Sequence, residues 1–214
     1  MDAEDVAQYL RTHPQFFEQH ADLLESIEVP HPYGGRAIPL AERQVLGLRE
    51  KVKLLEGKLG ELIQFGEEND AIGEKVHRLS LMLIAARDFA SAARALTMHL
   101  REDFAVPHVA LRVWDLALPA DAPERAEVSD ELRQQIEAMA GPECGPAAGN
   151  PFLGWFGEAG AHVRSVATVP LGQTRTSGLL ALGSEDARRF YAEMGTLYLS
   201  RIGELTSAAL AAHL

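Results

Sequence analysis

The stretch Ser165-Val-Ala-Thr-Val-Pro-Leu171, followed after a short turn by Ser177-Gly-Leu-Leu-Ala-Leu-Gly-Ser184, decides how the second half of this chain folds. Both segments are rich in Val, Leu, Ala and Thr, a composition typical of strands that pack against a core. Gly172-Gln-Thr-Arg175 supplies turn residues between them. We therefore predict two antiparallel strands, His162–Leu171 and Thr176–Gly183, joined as a β-hairpin.

The segments around the hairpin alternate between helical and strand patterns. His108–Trp114 alternates as a strand, and 143–149 is expected to be a loop or an edge strand. Helical spacing predicts helices over 91–104 and 130–139, separated by a loop at 116–127. A closing helix is predicted from about Glu193 to His213, with an inward stripe of Met194, Leu197, Tyr198, Ile202, Leu205 and Leu210.

A long helix is predicted from about Pro39 to Ala86, because apolar residues repeat there at alternating spacings of three and four. The seam comprises Val45, Leu48, Val52, Leu55, Leu59 and Leu62, and it resumes as Phe65, Asn69, Ile72, Val76, Leu79 and Leu83. Such a heptad pattern is typical of a coiled coil. We expect a second copy of the chain to complete it, giving a homodimer; the alternative is a helix that folds back onto its own domain.

The N-terminal residues are predicted to form a helical hairpin. Asp2 or Asp5 can cap a first helix, and Pro14 suits the start of a second one. Val29–Gly35 contains two prolines and two glycines, which predict a turn or linker. The expected fold class is α+β, with an N-terminal helical hairpin (1–35), a long coiled-coil dimerisation helix (36–86) and a domain built on an antiparallel sheet flanked by helices (87–214).

Composition excludes several classes of protein. The 214 residues include 31 Asp and Glu against 20 Lys and Arg, for a net charge of −11, and a single cysteine. One cysteine excludes an internal disulfide and a multi-thiolate zinc site. The acidic balance disfavours nucleic acid and membranes as partners. The N-terminus resembles no signal peptide, so we expect a cytoplasmic protein.

The hairpin and the closing helix resemble the second half of a GAF domain. This resemblance rests on the segments Ser165–Leu171 and Ser177–Ser184, which are followed by Phe190 and an amphipathic helix. The whole chain is also similar to a bacterial family called domain of unknown function 484. That similarity rests on short sequence motifs that occur in the same order along the chain: Pro14–His20, Leu23-Leu24, Val29–His31, Gln44–Leu48, Asp103-Phe104, Cys144-Gly145, Leu180–Ser184, Asp186, Arg189-Phe190 and Met194–Thr196. The resemblance implies a coiled coil joined to a GAF-like domain, and no activity.

The sequence offers little chemistry. The eight histidines are scattered, so we expect no metal site, and no resident cofactor is indicated. Cys144 lacks a neighbouring base, and no phosphate loop or nucleophile elbow occurs, so we expect no enzyme. Asp186 and Arg189 are interpreted as a cap and an ion pair that hold the turn after the hairpin.

Two hypotheses remain. In the first, the protein is a dimeric sensor or regulatory module, and the GAF resemblance implies a small-molecule ligand between the sheet and its crossing loops. Its pocket candidates are Arg112, Trp114, Cys144, Phe152, Trp155, Phe156, Arg164 and Thr168. The aromatic residues at 152, 155 and 156 could equally be core. In the second, the protein is a ligand-free scaffold that docks a protein partner through its N-terminal helices and coiled coil. A pocket filled with Leu, Met and Trp would favour the scaffold, whereas a roomy one would favour the sensor.

Overall fold

The computed structural model describes residues 2–29, 38–114, 118, 122–125 and 127–212. The chain divides into two compact units, residues 1–67 and 68–214. The helices of the described part are α1 (Ala3–Thr12), α2 (Phe16–Gln19), α3 (Asp22–Ser26), α4 (Leu40–Ala85), α5 (Phe89–Glu102), α6 (Asp130–Glu137) and α7 (Leu197–Ala211). The strands are β1 (Glu28–Val29), β2 (Ile38–Pro39), β3 (His108–Val113), β4 (Glu143–Pro146), β5 (Ser165–Leu171) and β6 (Gly178–Ser184). This arrangement confirms the predicted α+β fold class.

The predicted hairpin forms the centre of the larger unit. β5 and β6 pair antiparallel, with Leu171 opposite Gly178 and Ser165 opposite Ser184. β3 joins the other side of β6, and β4 joins β5, so the sheet in the described residues has the order β3-β6-β5-β4. Gly178 is required where β3 and β6 meet, because a Cβ there would lie 2.8 Å from the Arg112 carbonyl oxygen.

The two faces of this sheet have different coverings. Side chains alternate along each strand. Leu111 and Val113 of β3 therefore share one side with Leu180 and Leu182 of β6, in a core that also contains residues of α4, α5 and α7. We call this side the helix face. On the other side, α6 and a 3₁₀ segment, Leu153–His162, cover a smaller cluster that contains Trp114 and Phe152. We call it the aromatic face.

The long helix α4 carries two different kinds of apolar position. The seam residues Val45, Leu48, Val52, Leu55, Leu59 and Leu62 are 46 to 66% exposed. In contrast, Val76, Leu79 and Leu83 are buried in the helix-face core. The alternative that the helix folds back onto its own domain is therefore correct for these last positions, and pairing with a second copy is wrong for them. For residues 45–62, self-pairing stays a prediction.

The N-terminal unit differs from the predicted hairpin in one respect. Asp2 caps α1 by accepting a hydrogen bond from the Asp5 N–H at 2.8 Å, as predicted. The expected second helix is instead two short ones, α2 and α3, because the chain breaks at His20. Val29 pairs with Ile38 in a short antiparallel ladder and is not part of a turn. The rest of the predicted linker, residues 30–35, lies outside the described residues.

Helix α7 packs largely through the predicted stripe, because Ile202 and Leu210 are buried in the helix-face core and Met194, Tyr198 and Leu205 pack against it. It begins at Leu197 rather than Glu193, and its buried residues include Leu199, Ile202, Gly203 and Leu210. Leu197 is exposed, so its predicted inward position is wrong. Gly203 adds a close approach to the sheet that the apolar spacing does not indicate, because a Cβ there would lie 2.6 Å from the Val169 side chain.

The buried part of α4 generates a stability prediction. Leu79 is fully buried, whereas Leu81, on the same helix, is 53% exposed. We expect Leu79→Ala to lower the free energy of unfolding of the larger unit by about 2–5 kcal/mol, because it leaves a cavity in the core. Leu81→Ala should change it by no more than about 0.5 kcal/mol.

Guanidinium unfolding followed by tryptophan fluorescence measures both variants. The only two tryptophans of the chain, Trp114 and Trp155, lie in the larger unit, so the signal reports on that unit. Protein concentration is held constant, since any self-association is linked to stability. Equal losses in the free energy of unfolding for the two variants would contradict the burial of Leu79 in this core.

Candidate functional site

The aromatic face brings four of the predicted pocket residues together. Strand alternation places Trp114 on the side opposite Leu111 and Val113, where it meets Phe152, Trp155 and Phe156. The ring centroids of Phe152 and Trp155 lie 5.0 Å apart in an edge-to-face arrangement. Asn150 positions Phe152, because its side-chain oxygen accepts a hydrogen bond from the Phe152 N–H at 3.0 Å.

These side chains fill the space beneath α6. Phe152 is only 3% exposed and Trp114 is also buried. Ile136 of α6 is completely buried in the same cluster, and Leu132 and Met139 pack against it. Ser129 begins α6 by accepting a hydrogen bond from the Leu132 N–H at 3.3 Å. The aromatic face is therefore packed with Trp, Phe, Leu, Ile and Met side chains.

Arg112 borders this cluster. Its guanidinium carbon lies 5.6 Å from the centroid of the Trp155 ring, and its Nη1 donates a hydrogen bond to the Leu111 carbonyl oxygen at 2.9 Å. Burial lowers the pKa of the Arg112 guanidinium, and the charge of Glu124 partly opposes this shift. An aromatic ring, a carbonyl oxygen and a nearby carboxylate thus surround the cation within the protein itself.

Thr168 and Arg164 do not line a shared pocket but make hydrogen bonds between neighbouring segments of the sheet. Thr168 is buried, and its Oγ1 donates to the Glu143 carbonyl oxygen at 3.4 Å, which links β5 to β4. The Arg164 side chain is exposed. Its backbone N–H donates to Ser184 at 2.8 Å, and its carbonyl accepts from Ala147 at 2.9 Å. Both residues hold the strands together.

Cys144 lies on the opposite side of the sheet from the aromatic cluster. It pairs with Ala167 in the β4–β5 ladder and packs against the helix-face core. Burial raises the pKa of the Cys144 thiol, so the reactive thiolate is disfavoured at neutral pH. The structure therefore does not join Cys144 to the other pocket candidates.

Asp186 and Arg189 are not paired in the way the sequence indicated. Asp186 is not a helix cap, because α7 begins only at Leu197; its Oδ1 instead accepts a hydrogen bond from the Arg188 N–H at 2.9 Å within a turn. The Arg189 guanidinium instead donates to the carbonyl oxygen of Phe104, at the end of α5. No ion pair between Asp186 and Arg189 forms in the part of the chain that is described.

A groove on the helix-face side of the larger unit was missed at the sequence level. It has a volume of about 570 Å³ and lies between the Asn69–Lys75 part of α4, the end of α5, and residues 189–202. Its residues come from distant parts of the chain, so no local motif marks them. The available signal was the seam position Ile72, whose partner the sequence does not specify.

The described residues contain neither a metal-binding cluster nor a membrane-spanning helix. Within them, no three His, Cys, Asp or Glu side chains cluster in a way that could hold a metal ion. Of the eight scattered histidines, His31 and His213 lie outside the described residues. None of the described helices combines the length and apolar character that crossing a membrane requires.

The chain is similar to known proteins along most of its length. It is 27% identical over 209 residues to "Uncharacterized protein YigA" of Salmonella typhimurium, covering 94% of this chain and 88% of that protein. The Escherichia coli protein of the same name is 28% identical with the same coverage. The solved structure of the "A. Aeolicus nlh2 gaf domain in an inactive state" superimposes with a TM-score of 0.51 at 12% identity. It covers 68% of this chain and 99% of that chain.

This structural likeness shows a GAF-like fold and confirms the resemblance predicted from the hairpin. A profile of the family described as "Protein of unknown function, DUF484" matches residues 1–212. The words quoted from the sequence, from Pro14–His20 to Met194–Thr196, lie within that range. Because the match spans almost the whole sequence, this chain belongs to the DUF484 family.

Proposed function

We propose that this protein is a self-associating, GAF-like regulatory scaffold, which forms a homodimer through α4 and acts by binding rather than by catalysis. The observation that carries the proposal is the exposed apolar seam from Val45 to Leu62. Six apolar residues at heptad spacing lie along it, and each leaves much of its surface in contact with water.

The physical argument is the cost of that exposure. Fully burying an exposed apolar side chain stabilises an assembly by about 1.5–3 kcal/mol, and these side chains still expose 46 to 66% of their surface. A contiguous apolar stripe on a helix is therefore typical of an interaction surface. The heptad spacing favours an identical helix as the partner, since knobs-into-holes packing needs the same repeat on both sides.

The packing of the aromatic face supports a scaffold over a sensor with a pocket at that position. A ligand there would have to displace Trp114, Phe152 or Met139 from contacts that they already make.

The exposed apolar residues of the N-terminal unit support binding of a protein partner in addition. Val6 and Tyr9 of α1 are exposed apolar residues, and no residue of α1, which is described throughout, is buried.

The first prediction concerns the dimer. Leu55→Asp places a carboxylate on the seam, and burying it in a paired interface is costly. We expect the dissociation constant to rise by at least about 100-fold, since every 1.4 kcal/mol is a factor of ten. Sedimentation velocity should give about twice the chain mass of 23.3 kDa for the unmodified protein and the chain mass for the variant.

Leu54→Asp is the matched control for this experiment. Leu54 precedes Leu55, has a similar exposure of 60% against 55%, and lies off the seam. The substitution is chemically identical, so helix propensity and net charge change equally. We expect Leu54→Asp to remain a dimer. A monomeric unmodified protein, or equal dissociation of both variants, would contradict the proposal.

The second prediction tests whether the aromatic face is a closed core. Phe152→Ala should lower the free energy of unfolding by about 3–5 kcal/mol, because Phe152 is packed on all sides. Tyr191→Ala removes an aromatic side chain that is 52% exposed, in the same unit, and should cost about 0.5 kcal/mol or less. Guanidinium unfolding measures both. A Phe152→Ala protein as stable as the unmodified one would instead indicate an open pocket.

The third prediction tests the absence of thiol catalysis. Since burial raises the pKa of Cys144, less thiolate is present at a given pH than in an ordinary exposed thiol. Alkylation by iodoacetamide at pH 8 should be several-fold slower in the folded protein than in the same protein unfolded in guanidinium, and it should accelerate as the pH rises. A folded protein that reacts faster than the unfolded chain would indicate an activated cysteine.

A further inference from the structure

The groove on the helix-face side of the larger unit has the size and composition of a ligand site. Its volume of about 570 Å³ lies within the range of about 300–1,000 Å³ that is usual for small-molecule pockets. Its walls are mainly apolar and include Ile72, Phe104 and Met194. It is open, unlike the filled aromatic face.

Two cations approach the same residue of this groove. The Lys75 Nζ lies 5.8 Å from the centroid of the Phe104 ring. The Arg189 guanidinium donates a hydrogen bond to the Phe104 carbonyl oxygen and stacks 5.6 Å over the Phe190 ring. Because α4, α5 and the segment after β6 all contribute, the tertiary fold creates this arrangement.

No anion within the groove balances these charges. The described lining contains no Asp or Glu, and in the described residues neither Lys75 nor Arg189 makes an ion pair. Arg189 also retains a buried Nε that donates to no described group. In a chain with a net charge of −11, two half-buried cations without carboxylates are unexpected.

The adjacent carboxylate is engaged elsewhere. Asp103 accepts a hydrogen bond from His99 and one at 3.5 Å from Arg78. The His99 hydrogen bond lowers the pKa of Asp103, so its charge is held toward those partners. The hydroxyl of Tyr198 is also occupied, since it donates to the Asn69 carbonyl oxygen at 2.9 Å. Lys75 and Arg189 therefore supply the cationic donors of the groove.

From this complementarity we propose that the groove binds an amphipathic monocarboxylate, in which an acyl chain contacts Ile72, Phe104 and Met194 and the carboxylate binds Lys75 and Arg189. A carboxylate accepts charge-assisted hydrogen bonds from both cations. The apolar walls supply the affinity for the chain. The proposal does not depend on self-association, because every residue it uses lies in the larger unit.

Isothermal titration calorimetry of the full chain with sodium decanoate tests this inference. We expect saturable binding of one decanoate per chain. Decyltrimethylammonium, which has the same chain length and the opposite charge, should bind at least about tenfold more weakly, because charge-assisted hydrogen bonds are lost. Absence of saturable decanoate binding, or equal binding of the cation, would overturn the proposal.

Variants locate the site. Lys75→Gln should weaken decanoate binding by about tenfold, since a charged donor is replaced by a neutral one. Lys53→Gln is its matched control on an exposed position of the same helix, and it should bind like the unmodified protein. Met194→Trp should abolish binding by filling the groove. Circular dichroism establishes that each variant keeps its fold, and unchanged binding by folded Lys75→Gln and Met194→Trp would assign decanoate to another site.

The Leu55→Asp variant, which we expect to be monomeric, separates this proposal from the occupation of the groove by a second copy. Decanoate binding by both the unmodified protein and Leu55→Asp supports a ligand site. Binding by Leu55→Asp alone would mean that a second copy covers the groove, and it would overturn the proposal while leaving self-association intact.

Discussion

The pairing of β6 between β3 and β5 is the constraint on which the rest of the larger unit depends. All seven residues of β6 are buried, so the strand must be covered on both faces. Alternation then assigns Leu180 and Leu182 to the helices and Leu179 and Ala181 to the aromatic cluster. Because one strand contributes to both coverings, the register of the hairpin decides on which face of the sheet each strand residue lies.

Much of this arrangement could be predicted from the sequence, for physical reasons. The hairpin and α4 have strong periodicity over many residues, and such segments are specified by their own pattern. Which residues of β4 face each side of the sheet was not predictable, since Glu143–Pro146 lacks alternation of apolar and polar residues. Its pairing with β5 directs Cys144 to the helix face. The groove was also missed, because Lys75 and Arg189 are brought together by tertiary structure alone.

The two halves of the α4 seam show what a heptad pattern leaves undecided. Hydrophobic burial has no direction, so the same spacing serves equally well for a partner within the chain and for one outside it. Leu79 and Leu83 find theirs in the core of the larger unit, whereas Leu55 and Leu59 do not. The position of the sheet decides which seam residues pack within the chain, and the helix sequence does not encode that position.

The location of open space follows from side-chain size on the two faces. On the aromatic face, two tryptophans and Phe152 fill the volume beside small residues such as Ala110 and Ala181. On the helix face, Gly203 draws α7 close to Val169, so the helix packs tightly at that point. Space remains at the other end of α7, where the chain enters the helix and where Lys75 and Arg189 are found. The groove that we propose as a ligand site therefore lies among the helices, including α4, and not on the opposite side of the sheet.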